Sequence, residues 1–137
     1  DGFLAGIAGL VPSGYPVWVK LSPDLPNKSL EDLGAFVKSE SRLAGIVLTN
    51  TSREMAEEVF DSPVGGLSGR PLFSRALECV SIARQAVGPS KVVIGVGGVY
   101  NLDSARQMRR AGADLVEVYT ALVYQGAPLM HALAGLD

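Results

Sequence analysis

Short apolar blocks alternate along this chain with longer segments of helical spacing. Val17-Trp18-Val19-Lys20-Leu21 is a β-rich block that Pro23 closes. Between Ser29 and Glu40, the apolar residues Leu30, Leu33, Phe36 and Val37 fall on one helical stripe. Ser29 is the expected cap of that helix, with Asp32 in its first turn. Ala44 to Thr49 reads as a second buried strand, followed by a long connection from Asn50 to Pro71. A helix is expected from Phe73 to Val87, ended by Gly88-Pro89. Val92 to Val96 forms the third strand candidate. Leu102, Ala105 and Met108 then share a helical face, with Asn101 as cap and Gly112 as stop. Leu115 to Tyr119 is the fourth strand candidate, and Pro128 to Leu133 a last helix. Residues 1–16 read as a loop leading into the first strand.

Four βα units in succession imply an α/β fold with a parallel sheet. The strands are almost continuously apolar, so both faces of the sheet should be covered. The first and last strand-to-strand spacings are about 25 residues, near what one unit of a (β/α)8 TIM barrel needs. Four units amount to half of such a barrel. The expectation is therefore a single partial domain over residues 1–137, the C-terminal half of a barrel whose N-terminal half is absent.

Composition narrows the function. The chain has 137 residues, 47% apolar and 19% charged, which excludes a disordered polymer. A formal net charge of −2 supplies no basic stripe and argues against a nucleic-acid surface. No apolar run approaches the roughly 20 residues of a membrane-spanning helix. A single cysteine, Cys79, excludes an intrachain disulfide and reads as a buried, inert thiol. The single histidine, His131, reads as a surface or packing residue. One histidine and one cysteine offer no metal-ligand spacing, so no metal site is expected.

In a barrel of this kind, ligands gather at the C-terminal ends of the strands, and phosphates favour the last two. Lys20, near the end of the first strand, is either a lysine reaching solvent or a fixed positive charge at the site. Thr49-Asn50-Thr51 is either a turn-forming cluster or a set of donors and acceptors for a small polar substrate. Gly65-Gly66-Leu67-Ser68-Gly69-Arg70-Pro71 is either a flexible loop or a backbone cradle that only glycine permits. Gly95-Val96-Gly97-Gly98-Val99 lacks the GxGxxG dinucleotide fingerprint; it fits a tight turn or a phosphate cradle backed by a helix start. Tyr119-Thr120-Ala121 could hold the same phosphate. Two such turns after the last two strands agree with the barrel rule.

Together, Val-Lys-Leu-Ser-Pro-Asp (19–24), Thr-Asn-Thr (49–51), Gly-Gly-Leu-Ser-Gly-Arg-Pro-Leu (65–72), Gly-Val-Gly-Gly-Val (95–99) and Ala-Gly-Ala-Asp-Leu-Val-Glu-Val-Tyr-Thr-Ala-Leu (111–122) resemble the class 2, membrane-associated dihydroorotate dehydrogenases. The motifs stand in the family's order, over about residues 16–130. The resemblance implies FMN as cofactor. Lys20, Thr49, Ser68, Gly69, Gly97, Gly98, Tyr119 and Thr120 match its contacts, and Asn50 and Thr51 match the pair that holds dihydroorotate or orotate. Lys20 would stabilise the anion on the reduced flavin. Leu122 to Pro128 matches a stretch lining the quinone tunnel, with Gln125 and Ala127 departing from the pattern.

The implied reaction is oxidation of dihydroorotate to orotate in de novo pyrimidine (UMP) synthesis. A base removes the C5 proton, C6 delivers hydride to the flavin, and a quinone reoxidises it. The family's base is a serine upstream of the lysine strand. Ser13 lies in the leading segment, but its surroundings do not resemble that motif, so no catalytic base is assigned here. The connection between Thr51 and Gly65 looks shorter than in many relatives. Membrane association would come from N-terminal elements, at the mitochondrial inner membrane in a eukaryote or the cytoplasmic membrane in a bacterium. Two alternatives stand beside this reading: another FMN barrel, such as the dihydropyrimidine dehydrogenase domain, and a non-catalytic half-barrel.

Overall fold

Four short strands, β1 (Val17–Leu21), β2 (Leu43–Leu48), β3 (Val92–Val96) and β4 (Leu115–Glu117), pair in parallel and in sequence order. The computed structural model describes residues 2–12, 14–61 and 64–136; Ser13 lies outside the described residues. Each crossover returns the chain to the adjacent strand, the winding of a (β/α) barrel wall. The register places Lys20, Val47, Ile94 and Leu115 in one row across the sheet.

Side chains alternate across a strand, and here the two faces differ. Val19, Leu21, Ile46, Leu48 and Val93 face a helical layer and belong to one buried cluster. That layer comprises α2 (Asn27–Ser39), α4 (Phe73–Val87) and α5 (Leu102–Arg110), which contribute Leu30, Val37, Cys79, Val80, Ala83, Ala105 and Met108 to the cluster. The helices α2 and α4 approach so closely that a Cβ on Gly34 would lie 2.5 Å from the Ala86 Cβ. The opposite face carries Trp18, Lys20, Leu115 and Glu117, and Trp18 and Leu115 remain 36% and 56% exposed. The expectation of two covered faces thus holds for one of them within the described residues. Cys79 is fully buried, and desolvation raises its thiol pKa, as suits an inert packing residue.

The N-terminal ends of the strands are tied by side chains reaching backbone carbonyls. Arg84 donates from Nε to the Gly112 carbonyl at 2.8 Å and from Nη1 to the carbonyls of Gly88 and Lys91 at 2.7 and 3.0 Å, and it also pairs with Asp114. Lys91 donates to the Glu40 carbonyl at 2.7 Å. These contacts fix the end of the sheet remote from the site, where barrels concentrate stability.

Several boundaries differ from the sequence reading. Residues 2–10 form a helix, α1 (Gly2–Leu10), where a loop was expected. Helix α2 begins at Asn27 with Pro26 at its cap and no capping side chain, so Ser29 sits inside the first turn. Proline suits that start because its fixed φ costs nothing there. The long connection after β2 contains α3 (Arg53–Val59), and β4 stops at Glu117, two residues early, so that Thr120–Gln125 can form α6. The last helix, α7, spans Ala127–Leu133.

Candidate functional site at the strand ends

The C-terminal ends of all four strands open onto one cavity of about 250 Å³. Its wall includes Lys20, Thr49, Asn50, Thr51, Ser68, Gly69, Gly97, Gly98, Tyr119 and Thr120, every residue singled out from the sequence as cofactor- or substrate-binding. It also includes Leu72, Val96, Val99, Glu117 and Val118, which the sequence reading did not assign. Glu117 ends β4 on the same sheet face as Lys20. The only hint of it in the sequence was a carboxylate inside an apolar strand.

Lys20 reaches the cavity because it alternates with the inward-packed Val19 and Leu21. Among the described residues no carboxylate pairs with it, so its charge is available to a ligand. Thr49 is buried, and its hydroxyl donates to the Val96 carbonyl at 3.3 Å, tying the end of β2 to that of β3. Asn50 N–H donates to the Leu21 carbonyl at 2.8 Å, and Asn50 Oδ1 accepts Thr51 N–H at 2.9 Å. The two side chains proposed to hold substrate are therefore exposed but set on a fixed backbone.

The next residue anchors that backbone. Ser52 caps α3 by accepting Met55 N–H at 3.0 Å, and its hydroxyl donates to Asp24 at 2.5 Å. Asp24 also accepts Arg53 N–H at 2.8 Å. Burial pushes the Asp24 carboxyl up, but the donors from Ser52, Arg53 and Glu54 outweigh it and hold the pKa below its ordinary value. Ser52 and Leu67 exchange two backbone hydrogen bonds, 3.0 and 2.7 Å, which brings the Leu67-Ser68-Gly69 turn back over the end of β2. That approach requires Gly66, whose Cβ would lie 2.2 Å from Thr51 Oγ1.

Gly69, Gly98 and Thr120 converge at the other end of the cavity. Thr120 donates its hydroxyl to Ser68 at 3.0 Å. Gly98 has φ +72°, and a Cβ there would stand 2.6 Å from the Gly69 carbonyl oxygen and 2.8 Å from Phe73 Cα. Gly97 has φ +131°, with Thr49 Oγ1 and Ala76 Cβ close by. Such a turn exposes backbone N–H groups to a ligand without a side chain in the way. The start of α5 is not free to help. Asn101 and Ser104 form a reciprocal capping box there, with Ser104 N–H donating to Asn101 Oδ1 at 2.8 Å. At the start of α6, by contrast, the N–H groups of Thr120 and Ala121 have no intrahelical acceptor, while Leu122 N–H already donates to the Tyr119 carbonyl at 3.0 Å. The site thus offers a glycine cradle, a hydroxyl and helix-start N–H groups at one end, and a lysine with a Thr-Asn-Thr triplet at the other. This fits a ligand with an anionic group at one pole and a hydrogen-bonding ring system at the other.

Residues 10–135 match the family model described as Dihydroorotate dehydrogenase. The chain belongs to the dihydroorotate dehydrogenase family. It is 42% identical over 124 residues to the dihydroorotate dehydrogenase (quinone) of Chelativorans sp., covering 89% of this chain and 34% of the relative. It is 40% identical over 126 residues to the enzyme of that name from Legionella pneumophila, covering 89% and 38% respectively. The crystal structure of DHODH (dihydroorotate dehydrogenase) from Eimeria tenella in complex with ferulenol superimposes with a TM-score of 0.75 at 34% identity, covering 86% of this chain and 32% of that one. The chain therefore spans about a third of the length of the relatives it matches. Its parallel sheet with intervening helices is a section of the TIM-barrel architecture of those dehydrogenases.

The segment matched to the family's quinone tunnel lies beyond this cavity. Leu122, Val123 and Tyr124 of α6 are 38%, 73% and 85% exposed, and none of them lines it. No described helix is long and apolar enough to cross a membrane.

Proposed function

We propose that this chain is the cofactor- and orotate-holding section of a quinone-dependent dihydroorotate dehydrogenase, acting in pyrimidine synthesis as part of a complete barrel. The observation that carries the reading is the gathering of ten residues, from four strand ends and one loop, in a single cavity. FMN would be held with its phosphate at Gly97, Gly98, Gly69 and the start of α6, and its ring toward Thr49 and Lys20. Bound there, it would supply the hydride acceptor.

The chain's own residues bind and orient. Asn50 and Thr51, set by the Asp24–Ser52 anchor, would hold the carboxylate and amide groups of dihydroorotate. Lys20 would offset negative charge at the reacting end of the site. Removal of the C5 proton falls to a serine elsewhere in the barrel, which leaves the 137-residue chain inactive by itself. Reoxidation by a quinone at the α6 surface is part of the same proposal, as is a location at the membrane where such quinones dissolve.

The test uses the full-length parent. It is purified, its visible spectrum recorded, and dihydroorotate added without oxygen. Bleaching of a bound flavin band establishes cofactor and substrate together. A yellow protein that stays yellow keeps the flavin and rejects the substrate, and dihydropyrimidines are then tried. A colourless protein that FMN cannot restore sinks the reading.

A further inference from the structure

A second cavity, of about 340 Å³, adjoins the first and shares the wall formed by Gly69, Gly98, Val99 and Thr120. That shared wall is the glycine cradle itself. The rest of the second cavity is lined by Arg70, Tyr100 and the α6 residues Ala121, Tyr124 and Gln125. Arg70 is the only cation on its lining. The guanidinium lies 4.2 Å from the centre of the Tyr100 ring. Among the described residues it has no carboxylate partner and no hydrogen bond to a carbonyl, in contrast to Arg84 and Arg75, each of whose guanidinium nitrogens is engaged locally.

Tyr100 is itself fixed. Phe73 meets its ring edge-on at 6.0 Å, and Gln125 Nε2 donates to its carbonyl at 2.8 Å. The stack therefore places a planar, fork-shaped donor, exposed to solvent, beside a cradle of backbone N–H groups, with its own N–H groups unspent. A guanidinium set in this way matches the oxygens of a phosphate in geometry and charge. Resting on the proposed function for the position of the phosphate, we infer that the second cavity is the outer part of the anion site. Arg70 takes the phosphate oxygens that the glycine cradle leaves facing outward, and it makes the site discriminate a phosphorylated flavin from an unphosphorylated one. Gln125 belongs to the same device by holding the Tyr100 backbone.

The experiment is a comparison of ligands. Flavin is removed from the full-length parent, and FMN and riboflavin are titrated separately by fluorescence quenching, at low and high salt. Arg70→Gln should weaken FMN by about tenfold or more, the loss of one charge-assisted contact, with riboflavin changed by less than about twofold and the salt dependence of FMN binding reduced. Arg70→Lys should recover part of the preference. Tyr100→Leu, which removes the stack and leaves the charge, should weaken FMN by a smaller factor. Equal weakening of both flavins would make Arg70 merely structural, and unchanged FMN binding would make it a solvated side chain; either result overturns the inference while leaving the proposed function intact. A parent that binds neither flavin overturns both.

Discussion

The buried hydroxyl of Ser52 donates to the Asp24 carboxylate at 2.5 Å, joining the loop after β1 to the start of α3. Asp24 lies three residues beyond β1, and Ser52 directly follows the Thr-Asn-Thr triplet, so this contact sets where Asn50 and Thr51 stand. Ser52→Ala removes both the cap of α3 and the donor to Asp24. It should cost about 1–3 kcal/mol of stability and weaken orotate binding to the full-length parent more than FMN binding. Equilibrium unfolding and two ligand titrations check this.

The same pair gives stability a pH dependence. The folded pKa of Asp24 is lowered from its ordinary value of 3.8, because the hydrogen bonds from Ser52, Arg53 and Glu54 outweigh burial. A depressed carboxylate adds stability that is fully present above the unfolded pKa and is lost as pH falls through the folded one. Wild type and Asp24→Asn should therefore differ most near neutrality and converge on acidification below 3.8. A difference that grows on acidification would contradict the assignment.

Two glycines of the site loops should behave oppositely. Gly98→Ala places a Cβ 2.6 Å from a backbone oxygen at φ +72°. Strain and overpacking together should cost about 2–5 kcal/mol, and the cradle should lose its ligand. Gly65→Ala meets nothing within 4 Å and should change stability by less than about 0.5 kcal/mol. Thermal unfolding of the two variants, with and without FMN, separates them.

In the 137-residue chain, Lys20→Met should leave stability nearly unchanged, since the side chain is exposed there and pairs with no described carboxylate. In the full-length parent, anaerobic flavin reduction by dihydroorotate should slow by about a hundredfold, the scale of one lost electrostatic contact at a site of developing charge. Stopped-flow bleaching at saturating substrate measures it, and unchanged kinetics would refute the role.

What was legible in the sequence follows from physical rules with strong local signatures. The ends of β1 and β3, those of β2 to within one residue, the Asn101 cap and the Gly97-Gly98 turn could be read because apolar runs, capping side chains and paired glycines have few other uses. Helix α1 was hidden by Gly2, Gly6 and Gly9, which depress helix propensity. Helix α3 was hidden because Arg53-Glu54-Met55-Ala56-Glu57-Glu58 carries no pronounced apolar stripe, and its cap, Ser52, followed a triplet that reads as a turn. Helix α6 was hidden because Tyr119-Thr120-Ala121-Leu122-Val123-Tyr124 looks like a continuing strand. Arg70, Tyr100 and Gln125 come together only through the fold, across 55 residues of chain, and no local pattern announces them.

The open sheet face yields a prediction whose sign depends on context. Trp18 and Leu115 present apolar surface on the side of the sheet away from the helices, and among the described residues β1 and β4 leave unpaired edges. Exposed apolar patches beside open edges drive association. The 137-residue chain alone should self-associate at micromolar concentration, and Leu115→Lys should shift it toward monomer in sedimentation or light scattering. In a complete barrel the same face is interior, so Leu115→Lys should instead destabilise the full-length parent by about 2–5 kcal/mol, the scale of an uncompensated charge set among apolar side chains. Solubilising the 137-residue chain while destabilising the full-length parent is a combination that only an interior sheet face produces. A substitution neutral in both would mean that this face is open to solvent in the whole protein too.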